Sequence, residues 1–307
     1  MPLPTLLDIA KSTGSDGIAG LIEEVIRFVP EVQDGAARTI KGTQFKTTVR
    51  TGIPSGSGFR SANEGSAPAK STYEQRLFDC FIVDRPWLCD KAVADAHEDG
   101  APAFIGAEAV AVVQAQLIEL GRQFYDGVSN STKGHPGLKA MYDAGNMTVD
   151  AAGTTANTGS SVWAITWGEQ GAQWLYGNGS NALQMTEVKE VVLPDENDAT
   201  KILTKYHQQL LAWVGLKLGN LKTVGRIKNL TADAGKTLTD ARLRALVALY
   251  PIGYKPDAIY LTPRSMTQLI NSRTATTVDG HEVPKPTMFD GIKLVETNSI
   301  LDTEAIA

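Results

Sequence analysis

The stretch KPDAIYLTPRSMTQLINSR at residues 255–273, followed after a short break by PTMFDGIKLVETNSI at 286–300, decides how this chain folds. Its first part reads as a short buried strand, Ala258 to Leu261, ending before Pro263, with a helix beyond the proline. A loop then brings the chain back to a second strand, Ile292 to Glu296. None of these residues makes a good catalyst. The block describes architecture, and the question becomes what the chain builds.

Upstream of it, LTDARLRALVALY from about Thr237 is a helix with a Thr or Asp cap, ended by Pro251. Residues 160–230 are mostly strand, in the runs SSVWAITWG, AQWLYG and EVKEVVLP. The segment KYHQQLLAWVGLKLGNLKTVGRIKNL fits a strand pair or a helix followed by a strand, and periodicity does not separate the two. The strongest helix is FIGAEAVAVVQAQLIELGRQFYDG at 104–127. Its Val110, Val113, Leu117, Leu120 and Phe124 recur at spacings of three and four, and Gly127 stands as a stop.

Near the N-terminus, Leu21, Ile22, Val25, Ile26 and Val29 give one apolar face ended by Pro30. Two strand-like runs follow, ARTIKGTQFKTTVRT at 37–51 and STYEQRLFDCFIV at 71–83. Between them lies GIPSGSGFRSANEGSAPAK, which has no periodicity. This predicts an extended β-hairpin with a long polar tip. A lone two-stranded hairpin is marginal in water, so it needs a partner surface, and a second copy of the chain is the economical candidate.

The 307 residues suffice for one large domain or two intertwined ones. A net charge of −5 argues against a general nucleic-acid binder, although one local patch could still touch DNA. Cys80 and Cys89 lack metal-type spacing and predict reduced thiols. The opening MPLPTLLDIAKSTG has no basic region, apolar core or cleavage site, so no signal peptide is expected. No uninterrupted run of about eighteen apolar residues occurs, so no membrane span is expected.

Catalytic and ligand motifs fail one by one. GIPSGSGFRSANEG lacks the Lys-Ser/Thr ending of a phosphate loop. His97, His135, His207 and His281 are scattered, without metal-ligand spacing. There is no Gly-x-Ser-x-Gly elbow and no cysteine-protease signature. Trp163, Trp167, Trp174 and Trp213 gather in the β-rich part, but no basic residue lies among the first three, so they read as packing residues. No cofactor or metal is expected.

Charge is unevenly distributed. From Ala36 to Asp79 seven basic residues face three acidic ones, a net of +4, while 1–34 and 84–108 each carry two basic and six acidic residues, a net of −4. A basic hairpin between acidic segments complements a second copy of itself. The candidate contact residues are Lys41, Lys46, Arg50, Arg60 and Lys70.

Taken in order, the arm, the hairpin, the rod helix, the TKGHPGLKAM loop at 132–141, the β-rich part and the C-terminal block resemble the major capsid proteins of tailed bacteriophages. The resemblance implies an α+β fold with an N-terminal arm (1–35), an extended hairpin loop (36–83), a peripheral domain (84–230) with its spine helix at about 104–127, and an axial domain (231–307). One departure from the family is that the β-rich segment precedes the axial block, which implies a permuted strand order. The implied function is an icosahedral shell of hexamers and pentamers around double-stranded DNA. The DNA would be touched on the inner surface without sequence specificity, and scaffolding protein and portal would be further partners. Assembly would take place in the host cytoplasm and the final location would be the virion capsid. An encapsulin-type compartment shell is the alternative, and a hydrolytic enzyme a remote one. A lysine–asparagine cross-link, as in some relatives, would draw on Lys41, Lys46 or Lys70.

Overall fold

The computed structural model describes residues 29–55, 58–142, 147–180, 183–195, 198, 200–274 and 283–306. Most of the expected arm, including Leu21, Ile22, Val25 and Ile26, lies outside these residues. Val29 is buried, and a single helical turn, α1 (Pro30–Gln33), begins with the proline in first position, where its missing N–H costs nothing.

The strands β1 (Ala37–Thr39), β2 (Gln44–Gly52) and β3 (Thr72–Asp79) follow, then β4 (Phe81–Asp90). β2 and β3 form a two-stranded sheet of their own, paired from Gln44↔Asp79 to Gly52↔Thr72. The hairpin therefore ends at Asp79, whereas the sequence run continued to Val83. At Cys80 the chain leaves the hairpin, and β4 joins another sheet.

After α2 (Lys91–Ala94), capped by the Asp90 carboxylate accepting from Ala92 N at 3.0 Å, comes the long helix α3 (Ala101–Asp126). By length and composition alone it could cross a membrane, contrary to the sequence expectation. Its second half instead enters the core: Leu120, Phe124 and Tyr125 are buried, and Phe124 stacks on Trp167 with ring centroids 5.6 Å apart. Its start is buried too, with Phe104 packed against Cys89 and Ala94, whereas its middle lies at the surface: Val110 is 63% exposed, and Val113 and Leu117 are only half-buried. The apolar face read from the sequence is thus fully covered only from Leu120 onward. At the end of α3, Gly127 (φ +55°) backs onto Gly137 (φ +71°), and a Cβ on Gly127 would meet Pro136 O at 1.7 Å. Gln123 ties the loop back to the helix, donating to Ser131 O (3.1 Å) and His135 O (2.7 Å), and α4 (Gly137–Met141) follows.

The remaining elements are β5 (Thr148–Asp150), β6 (Ser160–Ile165), β7 (Ala172–Tyr176), β8 (Gln184–Met185), β9 (Lys189–Pro194), β10 (Ile202–Leu218), β11 (Val224–Leu230), α5 (Asp240–Ala248), β12 (Ala258–Leu261), α6 (Pro263–Thr274), β13 (Met288–Phe289) and β14 (Ile292–Glu296). The segment that periodicity left open is the 17-residue strand β10, then a short turn and β11. One side of β10 pairs with β4, from Lys205↔Asp90 to Val214↔Phe81; its other side is lined by β9, β8 and β7, with β1 parallel to β7.

The second sheet runs β13-β14-β12-β6-β11-β5. The C-terminal block forms as expected: β12 ends before Pro263, α6 starts there, and β14 returns parallel to β12. The border drawn after residue 230 nevertheless cuts through this sheet, because β6 pairs with both β12 and β11. Fully buried β6 is apolar enough to occupy the middle of a sheet, and the later strands need it as a neighbour. Gly225 on β11 makes room for Leu246 and Tyr250, whose hydroxyl donates to Ala164 O at 2.7 Å. One continuous core joins both sheets around Trp163 and Trp174. Trp213 instead packs against a smaller cluster of Ile40, Phe78, Cys80 and Leu175 at the hairpin base.

Candidate functional site

The alternation in β2 puts Phe45 and Val49 on one face and Lys46, Thr48 and Arg50 on the other. Register then brings Leu77 opposite Lys46 and Tyr73 opposite Arg50. One face of the hairpin is therefore cationic and apolar together: Leu77 is 55% and Tyr73 60% exposed, with the Arg50 guanidinium 5.5 Å from the Tyr73 ring centre. Only Phe78 in the two strands is buried. Lys41 lies at the base and Lys70 at the return from the tip, both exposed. Arg60 bends back within the tip, donating to Glu64 O at 2.7 Å. The tip also exposes Ile53 and Phe59.

Of the seven basic hairpin residues, Arg38 pairs with Glu169 at 3.1 Å and Arg76 with Glu74 at 3.3 Å. The other five are Lys41, Lys46, Arg50, Arg60 and Lys70, and among the described residues none of them forms an ion pair. The structure places them along one projection rather than around a pocket. Tyr73, Leu77, Ile53 and Phe59 escaped the sequence reading. The exposure of Tyr73 and Leu77 depends on strand register, which a hairpin with a long tip does not announce, whereas a tight turn would have.

The hairpin is anchored at its base. Phe45 lies between two cations, with Arg38 4.9 Å and Lys217 Nζ 5.1 Å from its ring centre. Lys217 is almost wholly buried and donates to Glu169 O at 2.6 Å, and burial lowers its pKa. Beside β3 lies a cleft of about 500 Å³, lined by Glu74 to Asp79 and floored by Pro136, Met141, Leu216, Leu218 and Leu221. β3 pairs only with β2, so its other edge borders this cleft as an open row of backbone groups.

The acidic segment 84–108 begins within β4 and continues past its far end. With about 3.3 Å per strand residue, the ten residues of β4 carry the chain on the order of 30 Å from the hairpin base. Asp95, Glu98 and Asp99 are exposed there, with Asp84 exposed nearer the hairpin on β4 itself, and the neighbouring Lys91 is held by Glu190 at 2.6 Å. Basic and acidic surfaces therefore occupy opposite ends of one strand. Burial pushes both Cys80 and Cys89 thiols up to about 11, so neither is an activated nucleophile. Among the described residues no group of three or more His, Cys, Asp and Glu side chains is arranged to hold a metal.

A family model, major capsid protein GP7, matches residues 23–307. A chain of the near-atomic structure of bacteriophage Epsilon15 is 19% identical, with a TM-score of 0.77 over 99% of this chain and 97% of that one. The capsid of bacteriophage JBD30 is 9% identical, with a TM-score of 0.52 over 93% of each chain. The SrpI encapsulin of Synechococcus elongatus PCC 7942 is 9% identical, with a TM-score of 0.48 over 75% of this chain and 97% of that one. No curated protein matches. With the family model covering the chain from the arm through the last strand, the chain belongs to the major capsid protein GP7 family and is a phage shell protein with the α+β capsid fold.

Proposed function

We propose that this chain assembles with copies of itself into a closed icosahedral shell of hexamers and pentamers around packaged double-stranded DNA. The observation that carries the mode of assembly is the hairpin: a two-stranded projection with a single buried residue and five uncompensated cations. Such a ribbon is not stable alone in water, and its length and charge fit a neighbour. Lys41, Lys46, Arg50, Arg60 and Lys70 are the intersubunit contacts in this reading. The facing surface is the acidic segment 84–108 of the next copy, most of which the hairpin's own subunit presents beyond the opposite end of β4. Contacts between unlike ends are heterologous, and heterologous contacts close into rings when the rotation allows.

The first sheet with α3 serves as the peripheral part and the second sheet as the axial part. No catalytic step is assigned; the mechanism is interface geometry. Scaffolding protein and portal are the further partners, DNA is met on the inner surface without sequence specificity, and assembly proceeds in the cytoplasm of a bacterial host.

Charge reversal tests the contacts. Changing Lys41, Lys46 and Arg50 to Glu takes the hairpin from +4 to −2. A single exposed pair contributes only about 0–1 kcal/mol, but the penalty recurs at every equivalent contact of a shell. Particle yield should collapse at low salt and recover partly as sodium chloride screens charges beyond about 8–10 Å. The control reverses Lys133, Lys222 and Arg244, all exposed. Equal yields from the two triple variants at every salt concentration would refute the contact assignment.

A further inference from the structure

The arm enters the described structure through a buried carboxyl group. Glu31 is wholly buried, at the seam where α1 meets α3, β7 and the segment after β14. Its backbone carbonyl accepts from Trp174 Nε1 at 3.0 Å, and its Oε2 accepts from the Thr297 hydroxyl at 3.0 Å. Among the described residues the other oxygen, Oε1, lies beside the Ser299 hydroxyl without a hydrogen bond of good geometry, and the Tyr125 hydroxyl has no partner. The fit is tight: a Cβ on Gly121 of α3 would lie 2.4 Å from Ser299 Oγ, 2.5 Å from Val29 Cγ1 and 2.6 Å from Glu31 Oε1. Only a glycine there lets the arm lie against the helix.

Among the described residues no cation faces this carboxyl. α3 presents Gly121 and the phenol of Tyr125, β7 presents Trp174, β12 presents the phenol of Tyr260, and the segment after β14 presents the Thr297 and Ser299 hydroxyls. The nearest charged neighbours along the chain, Asp34 and its partner Lys293 (2.9 Å), are exposed and satisfy each other. An ionised carboxylate at this depth would be desolvated with one oxygen unmatched, which is costly. A neutral acid carries its own donor.

We propose that Val29 to Asp34 form a protonation-gated latch: the arm stays seated in this seam while the Glu31 carboxyl is neutral and is released when that group ionises. Burial, the largest influence on this group, raises the Glu31 carboxyl above the ordinary carboxylate range, against smaller lowering effects from Ser299, the backbone and Thr297. With the seated value above the released one, the latch is at full strength below the ordinary carboxylate range. It weakens as pH rises from the released value to the seated one, by up to tenfold in the opening equilibrium per pH unit between them, and levels off above the seated value.

Hydrogen–deuterium exchange of the purified wild-type chain and Glu31→Gln, corrected for intrinsic rates and followed from pH 5 to 9, tests this. In wild type, exchange over residues 29–36 should climb with pH by up to tenfold per unit until the seated value is passed and then level off, while peptides from β12 and α6 stay constant. In Glu31→Gln, which is neutral at every pH, exchange over the same residues should be flat and lower than wild type at pH 9. Parallel pH profiles for the two proteins, or faster opening of the Gln variant at high pH, would show that an ionised carboxylate is what holds the arm. Should the variant not fold, a pH-independent wild-type profile alone overturns the proposal.

Discussion

Arg226 on β11 and Glu304 meet with Nη2 3.1 Å from Oε2, on side chains that are 16% and 4% exposed. The same carboxylate accepts from Ser161 Oγ at 2.6 Å and pairs with Lys139 Nζ at 3.0 Å, and Lys139 also holds Asp126 at the end of α3. One carboxylate therefore joins the second sheet, α4 and, through Lys139, the long helix. Removing one partner of a buried ion network leaves the others uncompensated, at a cost of about 3–5 kcal/mol. Glu304→Ala should lower stability by that amount in denaturant unfolding of the subunit, and an effect below about 1 kcal/mol would mean that water compensates these charges.

The two halves of α3 should answer differently to truncation. Leu120 is 5% exposed within the core, so Leu120→Ala should cost about 2–5 kcal/mol. Val110 lies at the surface of the same helix, and Val110→Ala should stay within about 0.5 kcal/mol in the isolated subunit. Thermal melts of both variants check the split.

Gly127 has no substitute. A side chain there would be strained at its positive φ and would collide with the Pro136 carbonyl. Gly127→Ala should destabilise by on the order of 3 kcal/mol and loosen the loop at 131–137, seen as faster hydrogen exchange in that segment. Wild-type exchange rates in the variant would show that the helix end relaxes without cost.

The parts of this fold legible in the sequence are those written in local terms. Pro263 and the apolar run Ala258 to Leu261 mark β12 and α6 directly, and the spacing from Val110 to Phe124 marks the helix. What escaped was tertiary. Nothing in the alternation of 71–83 shows that the chain changes sheets at Cys80. Nothing in the spacing along α3 shows that its apolar stripe is covered only from Leu120 onward, because covering depends on what packs above it. The five hairpin cations could be named because charge is a composition property. Their lack of partners, and the exposed Tyr73 and Leu77 beside them, needed the register.

Acid should weaken the subunit through His135. Both ring nitrogens are buried without a partner beside the Trp174 ring, 5.7 Å away between centres, and burial lowers the imidazole pKa to about 4. The unfolded chain takes up this proton near pH 6.5 and the folded one only near 4, so stability is intact above the unfolded value and falls between the two. At about 1.4 kcal/mol per unit, the loss approaches 3 kcal/mol. His135→Phe, which keeps a ring against Trp174 and cannot titrate, should flatten this part of the stability profile between pH 7 and 4. An unchanged slope would assign the acid sensitivity to other groups.

The central claim is that the hairpin is an intersubunit element, dispensable to the subunit and required by the shell. Deleting residues 56–67 tests it most directly, because the described part of this tip is wholly exposed. Wild type and deletion variant are compared by circular dichroism for the fold, and by light scattering with electron microscopy for assembly. The account predicts a variant with the wild-type spectrum and melting temperature that yields no closed particles while wild type does. Closed particles of wild-type size from the deletion variant would contradict it.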